Sequence, residues 1–137
     1  MPEPVKLTPI GRVESTLTDP ASAPKQGFEG ALEAWLAFDD SVTDALGDIA
    51  SGDRLIVLTW LDRARRDVLR VHPRDDAANP LRGVFSTRSA DRPNPIGVHR
   101  VIVEAQPGPL RFQVRNLEAI DGTPIVDVKT TLEGIVE

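Results

Sequence analysis

The stretch Leu55-Ile56-Val57-Leu58-Thr59-Trp60-Leu61 is a continuous, mostly apolar run of strand length, rich in β-formers, and it predicts a central strand buried on both faces. Upstream, Val42, Ala45, Leu46 and Ile49 follow the i, i+3, i+4, i+7 spacing, with Asp40 or Ser41 as the N-cap and Gly52 just past the end. That pattern predicts one helix near residues 41–50. Downstream, Leu110-Arg111-Phe112-Gln113-Val114-Arg115 alternates strictly, as a half-buried strand with Leu110, Phe112 and Val114 on its apolar face should. Weaker strand signals lie near 7–14, 30–37, 67–72, 83–87, 97–104 and 124–129, separated by turn chemistry such as Asp121-Gly122 and Pro107-Gly108-Pro109. Twelve prolines and ten glycines exclude long helices over most of the chain. About eight short strands with one short helix predict an all-β, mainly antiparallel fold, a small barrel or sandwich that hides its strand edges. Residues 15–29 and 73–82, rich in Pro, Asp, Ala and Ser, read as long loops.

The chain has 137 residues, 40% of them hydrophobic and 27% charged, the size and balance of one domain spanning 1–137. It contains no cysteine, which removes disulfide frameworks, zinc–thiolate sites and thiol nucleophiles together. No apolar run approaches the roughly 20 residues needed to cross a bilayer, and Met1–Ile10 has neither a basic n-region nor an apolar h-region. A soluble, cytoplasmic protein with no membrane partner is expected.

The net charge of -5 conceals a segregation along the chain. Residues 1–53 carry 3 basic and 10 acidic side chains, 54–100 carry 10 and 5, and 101–137 carry 3 and 6. All ten basic residues of the middle segment are arginines, the side chain best suited to planar contacts with phosphate and carboxylate. A solvated arginine-rich surface is the plain alternative.

Several chemistries are excluded by motif. Only two histidines occur, His72 and His99, at no helical ligand spacing and without a cluster of carboxylates, so no metal site is expected. A Gly-x-Ser-x-Gly elbow, a phosphate-binding lysine loop and a Gly-x-Gly-x-x-Gly fingerprint are all absent. What remains is Gly83-Val84-Phe85-Ser86-Thr87-Arg88-Ser89-Ala90-Asp91-Arg92-Pro93-Asn94-Pro95-Ile96-Gly97. Pro93 and Pro95 fix φ at two positions and bias Arg92 and Asn94 toward extended backbone. The result is a stiff polar loop with little conformational entropy left to lose on binding. A proline-stiffened turn whose arginines pair with Asp91 or Asp121 is the structural alternative.

Arg88-Ser89-x-x-Arg92-Pro93-Asn94-Pro95-Ile96-Gly97 resembles the signature of the TsaA/TrmO-like family of S-adenosylmethionine-dependent methyltransferases. Two other stretches agree in order. Ile10-Gly11-x-Val13-x-Ser15 with Pro24-Lys25-Gln26-Gly27 is similar to the family's opening strand and Pro-Arg-Gln loop, lysine replacing arginine. Asp121-Gly122-Thr123-Pro124-Ile125-Val126-Asp127-Val128-Lys129 is similar to its terminal strand, and the resemblance spans roughly residues 7–130. It implies a small β-barrel working as a homodimer, with S-adenosyl-L-methionine near the subunit boundary. Cofactor contacts are implied at Pro24, Lys25 and Gln26, at Asp62 and Arg63, at Arg88, at Val98, and at Asp121, Gly122, Thr123 and Pro124. Arg92 and Asn94 would face the substrate.

Characterised relatives methylate N6 of threonylcarbamoyladenosine beside the tRNA anticodon, and the arginine-rich middle segment would then contact RNA phosphates. Arg88 or Lys25 suits the cofactor carboxylate, Gln26 an adenine edge, and Asp121 the ribose or amine. Methyl transfer from a sulfonium needs alignment rather than an activated side-chain nucleophile. A proton leaving the acceptor would go to Asp62, Asp121 or Asp127, and no single catalytic base is identified. The chain departs from the family pattern at Ala90-Asp91, where Pro-His is common, and at Asp62, where histidine is expected. It departs again at Val98-His99 in place of Leu-Ser, and at Lys129-Thr130-Thr131 in place of Lys-Pro-Tyr. Because the sequence stops soon after the barrel motifs, a short form without the C-terminal domain of longer relatives is expected. A small-molecule acceptor and a non-catalytic cofactor-binding barrel therefore stand beside the tRNA reading.

Overall fold

The computed structural model describes residues 3–16 and 34–131. Eight strands occur among them: β1 (Gly11–Glu14), β2 (Ala34–Phe38), β3 (Arg54–Trp60), β4 (Arg70–Val71), β5 (Arg82–Gly83), β6 (Ile96–Gly108), β7 (Arg111–Arg115) and β8 (Pro124–Thr130). Six close into a barrel in the order β1-β2-β7-β6-β3-β8, with every neighbouring pair antiparallel, while β4 and β5 form a two-stranded ribbon of their own. The all-β, antiparallel barrel is the architecture that the strand spacing and the family resemblance imply.

Period-two alternation builds the interior. Val13, Leu36, Phe38, Leu55, Val57, Val101, Val103, Phe112, Val114 and Ile125 all point inward and are buried. Phe38 and Phe112 meet edge to face, with ring centroids 5.8 Å apart. In β3 only alternate residues are fully buried. Leu55, Val57 and Thr59 face the interior, while Ile56, Leu58 and Trp60 remain half-buried outside. The run's expected burial on both faces is thus only partial within a single chain.

The helix expected near 41–50 is instead a 3-10 helix over Asp40–Leu46, kinked at Val42 (φ -110°, ψ 15°). The Thr43 hydroxyl donates to the Asp40 carbonyl at 2.6 Å, a local bond that competes with α-helical pairing. Asp39 occupies the N-cap and makes no side-chain capping bond, so neither Asp40 nor Ser41 caps. The apolar spacing serves a different purpose: Val42, Ala45, Leu46 and Ile49, together with Ile10, Phe38 and Val128, line a cavity at this end of the barrel. The strands expected at 67–72 and 83–87 shrink to Arg70–Val71 and Arg82–Gly83, and Val84–Ser86 turns into a further 3-10 helix.

Barrel closure requires a close backbone approach at Gly11, which pairs with Phe38 on one side and Ile125 on the other. A Cβ on Gly11 would lie 2.9 Å from Phe38 Cα and closer still to the Ala37 carbonyl oxygen, and neither backbone atom has room to retreat. Gly11→Ala is therefore expected to lower unfolding free energy by about 1–3 kcal/mol, the usual range for overpacking. Urea denaturation followed by circular dichroism checks this: the midpoint should fall with little change in slope.

Candidate functional site

One mouth of the barrel collects the chemistry-bearing segments. Thr59 near the end of β3 pairs with Gly97 of β6 and with Ile125 of β8. The connection leaving β3 and those entering β6 and β8 therefore share a rim. Backbone bonds lock them there. Leu61 N donates to the Pro95 carbonyl at 2.8 Å, which fastens the loop after β3 to the Pro93–Gly97 loop. Arg92 N donates to the Arg65 carbonyl at 3.0 Å, and Arg65 N donates to Asp91 Oδ1 at 2.8 Å, which stitches the same two segments further out.

The Asp121–Pro124 turn is tied to the end of β1. Gly122 N donates to the Val13 carbonyl at 2.7 Å, Val13 N to the Thr123 carbonyl at 2.9 Å, and Ser15 N to Asp121 Oδ1 at 3.0 Å. Arg12 Nη1 adds a bond to the Gly122 carbonyl at 2.9 Å. Gly122 has φ +86°, a left-handed conformation that only glycine adopts without strain, and the Thr123 hydroxyl closes the turn on the Ile120 carbonyl at 2.6 Å. Thus Asp62, Arg63, Asn94 and Asp121 through Pro124 come to one rim. Val98, one residue beyond Gly97, points outward on the barrel wall and is 45% exposed. Arg88 stands on the β3–β6 connection, exposed and with no side-chain partner among the described residues. Pro24, Lys25 and Gln26 lie outside the described residues.

Arg92 is engaged inside its own loop. Its guanidinium donates to the carbonyls of Ser89 (3.0 Å), Val84 (3.2 Å) and Thr87 (3.3 Å). Asn94 receives at its Oδ1 a bond from Arg66 Nη2 at 3.0 Å, and Arg66 Nε donates to the Pro93 carbonyl at 2.7 Å. The Arg66 guanidinium also lies 5.2 Å from the Trp60 ring centroid. Arg66 thereby clamps the proline loop to the end of β3, a role that its place in a basic segment does not announce.

Beneath the rim sits a polar pair that motif reading passes over. Thr59 Oγ1 and His99 Nε2 share a hydrogen bond at 2.8 Å, with Thr59 fully buried. A Cβ on Gly97 would come within 2.7 Å of His99 Nε2 and would collide with the Thr59 hydroxyl, so the signature glycine leaves room for this pair. The alternation Gly97, His99, Val101, Val103 was the available signal, since it puts His99 on the inward face. No group of three or more potential metal ligands occurs among the described residues.

The donor set at the rim suits a polar, zwitterionic nucleoside. Asp62 is an exposed carboxylate without a side-chain partner among the described residues, and Asp121 keeps one oxygen beyond its bond to Ser15, while Arg88, an exposed cation on the β3–β6 connection, is not among the residues these bonds bring to the rim. Half-buried Leu61 and Trp60 supply apolar surface beside them.

The model of a family described as the tRNA-methyltransferase O N-terminal domain matches residues 12–135. An S-adenosyl-L-methionine-binding protein of Archaeoglobus fulgidus is 43% identical over 124 residues, covering 90% of this chain and 86% of that protein. A protein of Methanothermobacter thermautotrophicus described as "Probable S-adenosyl-L-methionine-binding protein" is 37% identical over 131 residues, covering 96% of this chain and 93% of its own. Among solved structures, TrmO from Pseudomonas aeruginosa superposes with a TM-score of 0.76 at 22% identity. That match covers 98% of this chain and 60% of the solved one, so the chain spans somewhat over half of that protein.

Burial pulls the His99 imidazole down from its ordinary 6.5 to about 4, which keeps it neutral at physiological pH. Between those values the unfolded chain binds more protons than the folded one. The stabilisation from neutral His99 is therefore complete above about pH 6.5 and is lost as pH falls through about 4, by roughly 3 kcal/mol at most. Thermal melts from pH 7 to 4.5 check this. The wild-type midpoint should decline over that range, and His99→Gln should decline measurably less.

Proposed function

The chain belongs to the tRNA-methyltransferase O N-terminal domain family, and from that premise we propose that it binds S-adenosyl-L-methionine at this rim and transfers the methyl group to N6 of a modified tRNA adenosine. The observation that carries the reading is the convergence of three segments distant in sequence on a single barrel mouth, the Asp121–Pro124 turn, the Asp62–Arg66 connection and the Pro93–Gly97 loop. The similarity to proteins described as binding S-adenosyl-L-methionine supports the choice of ligand.

Bound there, the cofactor supplies a methyl group on a sulfonium. The chain's own residues provide position and charge. Arg88 is suited to a carboxylate through its planar donor pair, while Asp62 and Asp121 can accept from ribose hydroxyls or an amine. Asp127 faces outward beside Leu58, bonded to its own neighbour Val128 N at 2.9 Å and paired with Lys129 at 3.1 Å. It is therefore a weaker candidate than Asp62 or Asp121 to receive the acceptor's proton. Alignment rather than side-chain nucleophilicity would supply most of the rate.

We also propose a homodimer with the site at its boundary. The outer face of β3 and β6 carries an apolar stripe of Ile56, Leu58 and Trp60 with Ile96 (42% exposed) and Val98 (45% exposed). Arg100 and Lys129 flank Ile56, and Asp127 flanks Leu58, so both signs of charge border the stripe as a self-complementary face requires. Val98 belongs both to this stripe and to the implied cofactor contacts, which links the two proposals.

Two measurements test these readings. Isothermal titration with S-adenosyl-L-methionine should show binding that Arg88→Ala weakens by roughly tenfold to a hundredfold, the range for losing a charged hydrogen bond. Labelled methyl groups should then enter bulk tRNA; incorporation only into a small-molecule extract would replace the acceptor, and binding without any transfer would make the barrel a sensor. Light scattering should give a mass of twice 14.9 kDa for the wild type. Ile96→Asp should return it to that of one chain, and a wild-type monomer would remove the shared site.

A further inference from the structure

Phe85 is 78% exposed, more than any other aromatic side chain among the described residues. Its mounting is well braced. Val84 beside it is buried, and Val84 N donates to the Leu69 carbonyl at 2.9 Å. The Arg92 guanidinium gathers the carbonyls of Val84, Thr87 and Ser89 and comes within 5.8 Å of the Phe85 ring centroid. Leu69 and Leu81, 66% and 46% exposed, stand at the entries to β4 and β5. Arg82, paired in register with Val71, is exposed and has no side-chain partner among the described residues.

We infer that Phe85 is a stacking platform for one unpaired nucleobase of an RNA strand, with Arg82 meeting a neighbouring phosphate. This deepens the tRNA reading and rests on it, adding a subsite on the β3–β6 connection that uses neither the rim side chains nor Arg88. Three features favour RNA over a protein partner. An exposed ring offers a face to any base, whatever its sequence. The adjacent guanidinium keeps that ring in place through backbone bonds, so little order has to be imposed on binding. The β3–β6 connection, residues 61–95, carries eight arginines against five carboxylates in a chain whose total is -5, and of these Arg82 and Arg88 are exposed without a side-chain partner among the described residues, so a phosphate backbone finds local positive charge here.

The test is fluorescence anisotropy with the full chain and two labelled probes, a single-stranded oligouridylate and an unmodified tRNA transcript, over a salt series. Phe85→Ala should weaken binding to both by roughly tenfold, within the range for losing one stacked base, with no change in salt slope, and Phe85→Trp should restore it. Arg82→Gln should instead flatten the slope by about 0.7 for the single strand, the expectation for one lost phosphate contact. Cofactor affinity measured by calorimetry should be unchanged in all three variants. Wild-type affinity in Phe85→Ala would overturn the platform while leaving the RNA acceptor intact. Failure of the wild type to bind either RNA at low salt would overturn both. Loss of the dimer mass in Phe85→Ala, with RNA affinity unaltered, would assign the patch to a second copy of the chain and overturn the platform.

Discussion

The seam between β1 and β8 is the constraint on which the rest depends. It has only two register pairs, Gly11 with Ile125 and Arg12 with Pro124, whereas β3 pairs with β6 along its full seven residues. The Ile10, Val13 and Gly122 amides extend the seam past both ends of that short ladder. Closure there removes the last open strand edges of the barrel, and it also delivers the Asp121–Pro124 turn to the rim. A barrel opened at this seam would lose its core packing and its candidate site together, so stability and function are linked at one place rather than spread over the sheet.

The arginines divide into two groups with different consequences. Arg92 uses its planar donors to collect backbone carbonyls, Arg66 donates to the Pro93 carbonyl and the Asn94 amide oxygen, and Arg65 pairs with Asp67 at 3.0 Å. These side chains build the connection between β3 and β6. Arg54, Arg82, Arg88 and Arg100 have no such engagement among the described residues. A phosphate backbone would therefore meet fewer cations than the sequence count suggests, because a guanidinium already bonded to carbonyls must give up those bonds to turn outward. Lysine at position 66 or 92 would keep the charge but lose the forked geometry that does the gathering.

Much of the barrel was legible: strict alternation is written into β7, where Phe112 and Val114 are buried, and a continuous apolar run marked β3, although only Leu55, Val57 and Thr59 on its inward face are fully buried. The type of the helix was not, since apolar residues three and four apart suit a 3-10 segment plugging a barrel end as well as an α-helix. Neither the shortening of β5 nor the duty of Arg92 could be read locally. The strand stops where Val84–Ser86 turns into a 3-10 helix, and Arg92 bonds carbonyls three to eight residues away, an interaction without sequence period. Of the site, the segments named by motif at 62–63, 94 and 121–124 do meet, but the Thr59–His99 pair did not register, because a buried polar contact forty residues apart leaves no motif.

The rim's backbone limits which groups remain for the proposed ligand. Gly122 N bonds Val13, Thr123 N bonds Ile120 at 3.0 Å and Leu61 N bonds Pro95, so these amides are already used to hold the mouth in shape. Among the described residues the rim has no glycine-rich phosphate loop and no helix that begins there. On the proposed reading, recognition would fall to side chains on the connections, Asp62, Asn94 and Asp121 at the rim with Arg88 beyond it, and to the half-buried Trp60 and Leu61. Of the residues that depart from the family pattern, Asp62, Ala90, Asp91, Val98 and His99 lie on those connections or on the strand they enter, Thr130 lies at the far end of β8 and Lys25 outside the described residues, whereas the bonds that shape the mouth run mostly through backbone. An unchanged barrel can consequently present a different acceptor surface. His99 is the instructive case: it occupies an inward position beneath the rim, kept neutral by burial and matched to Thr59, and Gly97 leaves the space that makes the substitution possible.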